Sequence, residues 1–381
     1  MKPLSIYTLF ETHKELSLSH RYITNTHIKP LLNTLGPDFT VETIGASVMG
    51  DSIYAVKIGN GKKRILMWSQ MHGNESTTTK AIFDIFNTLA FGGADVRQII
   101  EDCTLYIIPI LNPDGAKAYT RINANAIDLN RDAQLRTQPE SQVLRAVFES
   151  FKPHFCYNLH GQRTIFSVGR TNKPATVSFL SPAQDSACTV TPNRKIAMEV
   201  IGVMDQTLQE LIPNQVGVYD DAFNLNCVGD TFQSENVPTM LFEAGHFPDD
   251  YARDKTRGYI YTAMIASLLY IAKNDVLGDH YKAYFNIPEN GTCFYDIIIR
   301  NAKIENINQD IGILYKEVLV DNKVHFSPVI MKIEDLKGSF GHKEIDAAGR
   351  EVRTEGLKGL CVDSVCSSVL IENNIVSLEL E

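Results

Sequence analysis

The chain has 381 residues, of which 44% are hydrophobic and 21% are charged, a composition typical of a globular protein long enough for two packed domains. The formal net charge of −9 provides no basic field that could hold a nucleic-acid backbone, and no run of lysine and arginine compensates for it. The composition therefore argues against a nucleic-acid partner.

The N-terminus and the longest apolar run bear on the location of the protein. Charged residues interrupt the segment "MKPLSIYTLFETHKELSLSH" before the apolar core of a secretory signal could form. The longest apolar run, residues 259–272, has 14 residues, which is shorter than a membrane span and typical of a buried helix. We therefore expect a cytoplasmic protein with no membrane segment, in which the seven cysteines are reduced thiols.

Strand-like and helix-like segments alternate over most of the chain. The apolar run "RILMWSQ" at 64–70 precedes the helical segment 76–90, and "CTLYIIPIL" at 103–111 precedes a long polar loop. The later segments are a helix at 141–151, a strand at 154–161, a helix at 193–212, a strand at 238–245 and a helix at 257–274. Continuous apolar strands separated by helices predict an α/β domain over residues 1–278, with a mixed, mostly parallel sheet covered by helices on both faces.

The last hundred residues have a different pattern. Apolar segments such as "GTCFYDIIIRNAKI" and "DIGILYKEVLVDN" are separated by asparagine, aspartate and glycine turns, and no helical periodicity is evident. The pattern predicts a small all-β domain over residues 279–381, either a sandwich or a barrel.

Side chains that can bind a metal follow two of the predicted strands. His72 and Glu75 come directly after one strand, and His160 lies near the end of another. Ligands of α/β proteins gather beyond the carboxyl ends of parallel strands. Two imidazoles and one carboxylate are a set that holds a catalytic zinc ion and leaves a fourth position for water. Each residue alone is more often a turn or helix-capping residue, so the interpretation as a zinc site depends on their combination.

Three further motifs lie between and after these residues. "LNPDG" at 111–115, "DLNRD" at 128–132 and "MLFEAGH" at 240–246 join "HGNE" and "LHG" in an ordered set of five. Over about residues 64–270, the set resembles the zinc carboxypeptidases, the M14-type metallopeptidases. The order of the five motifs is far more specific than any one of them.

The resemblance implies a role for the residues around the metal. His72, Glu75 and His160 would bind one zinc ion per chain. Asp128 would accept a hydrogen bond from the other ring nitrogen of His72 and so fix its tautomer. Without the motif, Asp128 would be interpreted as an ordinary turn residue.

The resemblance also implies residues that act on the substrate. Glu243 would be the general base and acid, and Arg121 would stabilise the oxyanion that forms on the scissile carbonyl. Asn130 and Arg131 would receive the terminal carboxylate of the substrate. Outside the motif, a turn residue would be the simpler interpretation of Asn130, and a surface ion pair that of each arginine. Tyr219 is a candidate for the loop tyrosine that closes over the substrate in many family members, and a buried core tyrosine is the alternative.

The activity that the resemblance implies is zinc-dependent hydrolysis of the C-terminal amide bond of peptides. The deacylases of the desuccinylase and aspartoacylase type, which act on N-acyl amino acids, are an alternative because they also carry a small β domain and an Asp-Leu-Asn-Arg. The Asn-Pro-Asp-Gly motif favours the peptidase. A non-catalytic zinc-binding module is a third possibility, although the retention of every motif residue speaks against it. In the expected specificity segment, "CVGDTFQ", only Asp230 is charged, and the sequence indicates neither the preferred side chain nor the oligomeric state.

Overall fold

The computed structural model of the protein describes residues 1–354 and 359–380. The chain divides into two compact units. The first contains Met1–Gln162 and Ala175–Asn290, and the second contains Arg163–Pro174 and the described residues from Gly291 onward. The boundary between the units lies at 290/291, after the predicted boundary at 278/279. Tyr284 and Ile287 are buried in the core of the first unit, which places the segment that contains them in that unit.

The helices of the first unit cover the segments with helical periodicity. They are α1 Pro3–His13, α2 Asn25–Leu32, α3 Thr77–Phe91, α4 Ala94–Asp102, α5 Pro113–Ala118, α6 Pro139–Phe151, α7 Pro192–Gln209, α8 Val228–Ser234 and α9 Asp254–Lys273, with short 3₁₀ helices at Leu129–Arg131 and Tyr281–Asn286. Proline occupies the first turn of α1, α5, α6 and α7, where its missing N–H is not needed. None of the described helices has the length and apolar character that crossing a membrane requires.

The strands follow the apolar runs of the sequence. They are β1 Phe39–Ala46, β2 Ser52–Ile58, β3 Lys63–Ser69, β4 Cys103–Ile108, β5 Phe155–Gly161, β6 Ser167–Val168, β7 Val177–Leu180, β8 Val216–Val218, β9 Thr239–Ala244, β10 Asn290–Gly291, β11 Phe294–Ile304, β12 Ile307–Val320, β13 Lys323–Glu334, β14 Phe340–Asp346, β15 Val352–Arg353, β16 Ser368–Ile371 and β17 Asn374–Ser377.

Within the described residues, the first unit is built on one eight-stranded sheet in the order β1-β2-β4-β3-β5-β9-β7-β8. The central strands β4, β3, β5 and β9 run parallel to one another. Antiparallel pairs join β1 to β2, β2 to β4 and β7 to β9. The predicted α/β fold with a mixed sheet and a parallel centre is confirmed.

The two faces of the sheet have separate apolar cores. Leu159 and Phe242 belong to the larger core, which contains residues of α1, α3, α7 and α9. Cys156 belongs to the smaller core, which contains residues of α6 and α8. Because side chains alternate across a strand, His160 and Glu243 point to the same face as Cys156. The two residues are also direct register partners on β5 and β9.

The second unit is a small β structure. In its described residues, β13, β12, β11 and β14 form one sheet in that order, and β15, β16 and β17 form another. Residues from both sheets share one apolar core, including Ile299 on β11, Ile313 on β12 and Val369 on β16. Two sheets around a common core form a sandwich, one of the two predicted forms.

A buried ion pair ties α3 to α9. Arg257 on α9 donates to the two carboxylate oxygens of Asp84 on α3, each at 2.6 Å. It also donates to the backbone carbonyls of Leu18 at 2.6 Å and Glu15 at 2.9 Å. Both charged side chains are fully buried. The pair therefore also fixes the segment that follows α1.

Replacing Asp84 with Asn should lower the free energy of unfolding by about 3 to 5 kcal/mol, because the buried Arg257 would lose its carboxylate partner. Urea denaturation followed by circular dichroism would measure the change. Glu149→Gln, which removes a surface carboxylate from Arg145 on α6, is the control and should leave the midpoint nearly unchanged. Equal midpoints for the two variants would contradict the stabilising role of the pair.

Candidate metal centre and active site

The loop after β3, residues 71–75, is fixed by the Asn-Pro-Asp-Gly motif. Asn112 accepts the N–H of Gly115 at 2.8 Å and donates to the carbonyl of Met71 at 3.1 Å. A Cβ atom on Gly73 would lie 1.9 Å from the backbone carbon of Gly115, so the two segments touch at a point that only glycine allows. The motif therefore acts as a support for the loop that carries the predicted metal ligands.

His72, Glu75 and His160 converge on one point. The Nδ1 atom of His72 lies 2.9 Å from Glu75 Oε1 and 3.1 Å from His160 Nδ1, which lies 2.9 Å from Glu75 Oε2. One candidate ligand atom from each residue lies within 4.8 Å of the others. Two ring nitrogens that face each other cannot both carry a proton along that contact, whereas a divalent cation would accept both lone pairs and the carboxylate. The donor set fits a zinc ion.

The charge states of His160 and Glu75 suit metal binding. Burial lowers the pKa of His160, which favours the neutral imidazole that a metal ligand must be. Burial alone would raise the pKa of Glu75, but the charge and hydrogen bonds of the two histidines outweigh it and hold this pKa well below its usual range. Glu75 is therefore a carboxylate at neutral pH.

Asp128 and Arg121 surround the outer side of this cluster. Asp128 Oδ1 lies 3.0 Å from His72 Nε2 and accepts the N–H of Asn130 at 2.9 Å. Arg121 donates from Nε to Asp128 Oδ2 at 3.0 Å, and its Nη1 lies 3.5 Å from Glu75 Oε1. Burial would raise the pKa of Asp128, but His72 and Arg121 hold it well below its usual range. An ionised Asp128 assigns the proton of His72 to Nε2 and leaves Nδ1 for a metal.

Asn130 and Arg131 lie in the short 3₁₀ helix and contact the start of α8. The Asn130 side-chain oxygen accepts the N–H of Val228 at 3.0 Å, which leaves its NH₂ group as the donating end. Arg131 donates from Nη1 to its neighbour's carbonyl at 2.6 Å and to Cys227 Sγ at 3.1 Å, and its side chain is exposed. Both residues can thus present N–H donors to an anionic ligand.

Glu243 lies on β9 beside His160, and within the described part of the chain one of its carboxyl oxygens lacks a hydrogen-bond partner. Its Oε2 atom is buried and has no hydrogen-bond partner among the described residues. Burial raises the pKa of Glu243 well above its usual range, and the negative charge of Glu75 raises it further. The positive charges of Arg121 and Arg253 lower this pKa but do not outweigh the first two effects. A buried polar atom without a partner costs about 1 to 3 kcal/mol, which indicates a site for water or a ligand.

Tyr219 directly follows β8, and its hydroxyl donates to the side-chain oxygen of Gln162 at 2.7 Å. Gln162 lies two residues after His160. The hydroxyl of Tyr219 therefore lies at the carboxyl end of β5. Its predicted role over a bound substrate stays a prediction.

Asp230 was the only charged residue in the expected specificity segment. It lies on α8, where it accepts the N–H of Asn224 at 3.1 Å, and burial raises its pKa to about 6. Asp230 therefore holds the loop before α8 through at least one of its oxygens.

Two residues near the site were missed by the sequence analysis. Asn158 lies two residues before His160 on the same face of β5, and both of its side-chain amide atoms are buried without a partner among the described residues. Its signal was a polar residue inside the apolar run "FCYNL". Arg253 is fully buried and donates to the carbonyl groups at the ends of β5 and β9. No motif pointed to Arg253.

Comparison with known proteins agrees with this geometry. Residues 30–211 match the sequence profile of the zinc carboxypeptidase family. Carboxypeptidase 2 of Trichophyton rubrum is 26% identical over 113 residues, which cover 30% of this chain and 20% of that protein. Carboxypeptidase SOL1 of Arabidopsis thaliana is 28% identical over 179 residues, which cover 40% of this chain and 35% of that protein. The matched part of the chain thus spans about a fifth of the fungal relative and about a third of the plant relative.

A solved structure shares the fold. A metallo-carboxypeptidase from Burkholderia cenocepacia superposes with a TM-score of 0.53 at 17% identity, over 65% of this chain and 67% of that chain. At this identity the likeness concerns the fold alone. Over residues 30–211 the chain is thus similar to the zinc carboxypeptidase family, and it shares the fold of the solved metallo-carboxypeptidase.

Proposed function

We propose that the protein is a zinc-dependent metallocarboxypeptidase that hydrolyses the C-terminal amide bond of peptides. The observation that carries the proposal is the convergence of two imidazoles and a carboxylate beside the unpartnered carboxyl oxygen of Glu243. A metal site with an adjacent general base is the arrangement that metal-assisted amide hydrolysis requires.

His72, Glu75 and His160 would hold the zinc ion, with both histidines bound through Nδ1. When bound, the ion supplies a Lewis acid that activates water and polarises the scissile carbonyl. Asp128 supports this ligand set because its Oδ1 atom lies 3.0 Å from His72 Nε2 and accepts the proton that this nitrogen carries. The donor set, the burial and the supporting carboxylate all suit such an ion.

Glu243 would move the proton in this reaction. Its unpartnered oxygen would accept a proton from the attacking water and pass it to the nitrogen of the leaving amine as the carbon–nitrogen bond breaks. Burial raises the pKa of this carboxyl group, so its carboxylate is a stronger base than that of an exposed glutamate, which suits the proton-accepting part of this double role.

The arginines would bind the anionic parts of the substrate. The guanidinium of Arg121 is 47% exposed and is already oriented by Asp128, so it could donate to the oxyanion on the scissile carbonyl. Arg131 and the NH₂ group of Asn130 would bind the terminal carboxylate. A fixed cation stabilises charge that develops in the transition state more than it stabilises the neutral carbonyl.

The deacylase alternative would use the same metal ligands and general base. The match to the zinc carboxypeptidase profile and the peptidase names of the relatives favour the carboxypeptidase. The non-catalytic alternative is disfavoured because Arg121 and Glu243 are both retained beside the ligand cluster. The cytoplasmic location stays a prediction.

The purified protein should bind one zinc ion per chain, which elemental analysis after dialysis would measure. His160→Ala should lower the zinc content sharply because one of three ligands is lost. His154→Ala is the matched control. This histidine directly precedes the same strand, β5, but it is exposed, and its ring accepts the N–H of Arg64. Wild-type protein that stays free of zinc when the ion is supplied would refute the metal assignment.

Glu243→Gln should lower kcat by about a hundredfold or more while the zinc content stays at one per chain, because the residue is proposed to move protons and not to bind metal. Steady-state kinetics and elemental analysis of the same preparation would test both parts. Glu149→Gln, an exposed change on α6, should retain full activity. A Glu243→Gln enzyme with most of its activity would exclude the general-base role.

Arg131→Ala should lower kcat/KM for peptides with a free C-terminus by at least about tenfold, since a charge-assisted contact contributes about 1.5 to 3 kcal/mol. Amidation of the peptide C-terminus should cost the wild-type enzyme a similar factor. Arg136→Ala, which removes an exposed arginine from the same loop, is the control.

The same assays distinguish the peptidase from the deacylase when N-acyl amino acids are offered beside the peptides. If N-acyl amino acids are hydrolysed and peptides with a free C-terminus are not, the deacylase assignment replaces the carboxypeptidase.

A further inference from the structure

The relative position of β5 and β9 determines how the metal ligand His160 faces the general base Glu243. The two residues are register partners in a parallel pair. Beyond them, the N–H of Gln162 donates to the carbonyl of Ala244 at 3.0 Å, and there the described ladder between the two strands ends. Strand ends next to loops are the part of a sheet most able to separate.

Arg253 lies against both strand ends. Its Nη1 donates to the carbonyl of Ala244 at 2.9 Å, and its Nη2 donates to the carbonyl of Gln162 at 3.0 Å. Ala244 directly follows Glu243, and Gln162 lies two residues after His160. The guanidinium is planar and presents its donors at a fixed separation, so it holds the two carbonyl groups at a fixed separation too.

The side chain of Arg253 makes no hydrogen bond that caps the helix that follows it. Asp250 caps α9, because its carboxylate accepts the N–H groups of Asp254 at 2.8 Å and of Lys255 and Thr256 at 2.9 Å each. Arg253 itself has a φ of 60°, a left-handed conformation that is uncommon for arginine. A strained backbone is retained where the surrounding contacts require it. Here those contacts include the two that the buried side chain makes with the carbonyls of Ala244 and Gln162, beside the backbone N–H of Arg253, which donates to the carbonyl of Asp250 at 3.0 Å.

We propose that Arg253 is a positioning residue of the active site, whose guanidinium bridges the ends of β5 and β9 and so fixes His160 relative to Glu243. The part of the proposal that concerns Glu243 rests on the proposed function. The part that concerns His160 rests only on the metal site. Catalytic groups must be held within about 0.5 Å of the productive geometry. The loss of a supporting contact typically lowers metal affinity or activity by about 10- to 100-fold.

The test compares Arg253→Met and Arg253→Lys with Arg257→Met. Arg257 is a matched control because it lies one turn later on α9, is equally buried and also donates to two backbone carbonyls, those of Leu18 and Glu15. Competition with a chelator would measure the zinc dissociation constant, thermal melting would measure Tm, and a peptide with a free C-terminus would give kcat and KM.

Arg253→Met should weaken zinc binding by about tenfold and lower kcat by about tenfold, with KM within about twofold of the wild type. Arg253→Lys keeps the charge, but its single ammonium group cannot donate to both carbonyls as the guanidinium does. Its losses of zinc affinity and kcat should therefore be smaller than those of Arg253→Met but measurable. Arg257→Met should lower Tm at least as much as Arg253→Met and leave zinc affinity and kcat unchanged.

Arg253 variants with a lower Tm but wild-type zinc affinity and kcat would overturn the proposal and leave Arg253 a structural residue. If Arg253→Met does not fold, Arg253→Lys decides, because wild-type zinc affinity and kcat in that variant would contradict a bridging role. If the wild-type enzyme binds zinc but cleaves no peptide, the proposed function fails, and the zinc measurements still decide whether Arg253 positions His160.

Discussion

The parallel pairing of β5 with β9 is the constraint on which the candidate site depends. Because the two strands run in the same direction, their carboxyl ends lie at one edge of the sheet, and the loop after β3 reaches the same edge. Register then pairs His160 with Glu243, and the alternation of side chains turns both to the face of α6 and α8. A slip of one residue in either strand would turn its functional side chain toward the opposite core.

The site concentrates negative charge that the surrounding protein only partly balances. Glu75 and Asp128 are both held in the ionised form, and Arg121 lies against both of them. Glu243 lies beside this cluster, and burial together with the charge of Glu75 opposes its ionisation. A cation between the histidines would relieve the repulsion between the carboxylates, so the geometry of the donors and the charge of their surroundings favour the same ligand.

The sequence allowed the fold class to be predicted, and it also indicated which candidate metal ligands the fold brings together, because both depend on local patterns. Alternating apolar strands and helices predict the α/β sheet, and polar residues just after the strands predict the edge at which a ligand binds. The division into units was not predictable in the same way. Burial of Tyr284 with the first unit and the assignment of residues 163–174 to the second depend on tertiary contacts that leave no periodic signal. Arg253 was missed for a related reason, since one of the carbonyls that it contacts lies 91 residues away in the chain.

The fold brings the motifs together at one place, and they contain supporting residues as well as candidate reacting ones. In "HGNE", the glycine has no chemical role, but its close contact with Gly115 of "NPDG" allows the metal loop to lie against the next segment. Asn112 then donates to the carbonyl of Met71, next to the first candidate metal ligand, His72. Two motifs that meet in space therefore fix the conformation of one loop. A match to both motifs is much less likely to arise by chance than a match to a lone His-x-x-Glu. A supporting residue outside any motif, such as Arg253, can be recognised only once the fold has brought its partners together.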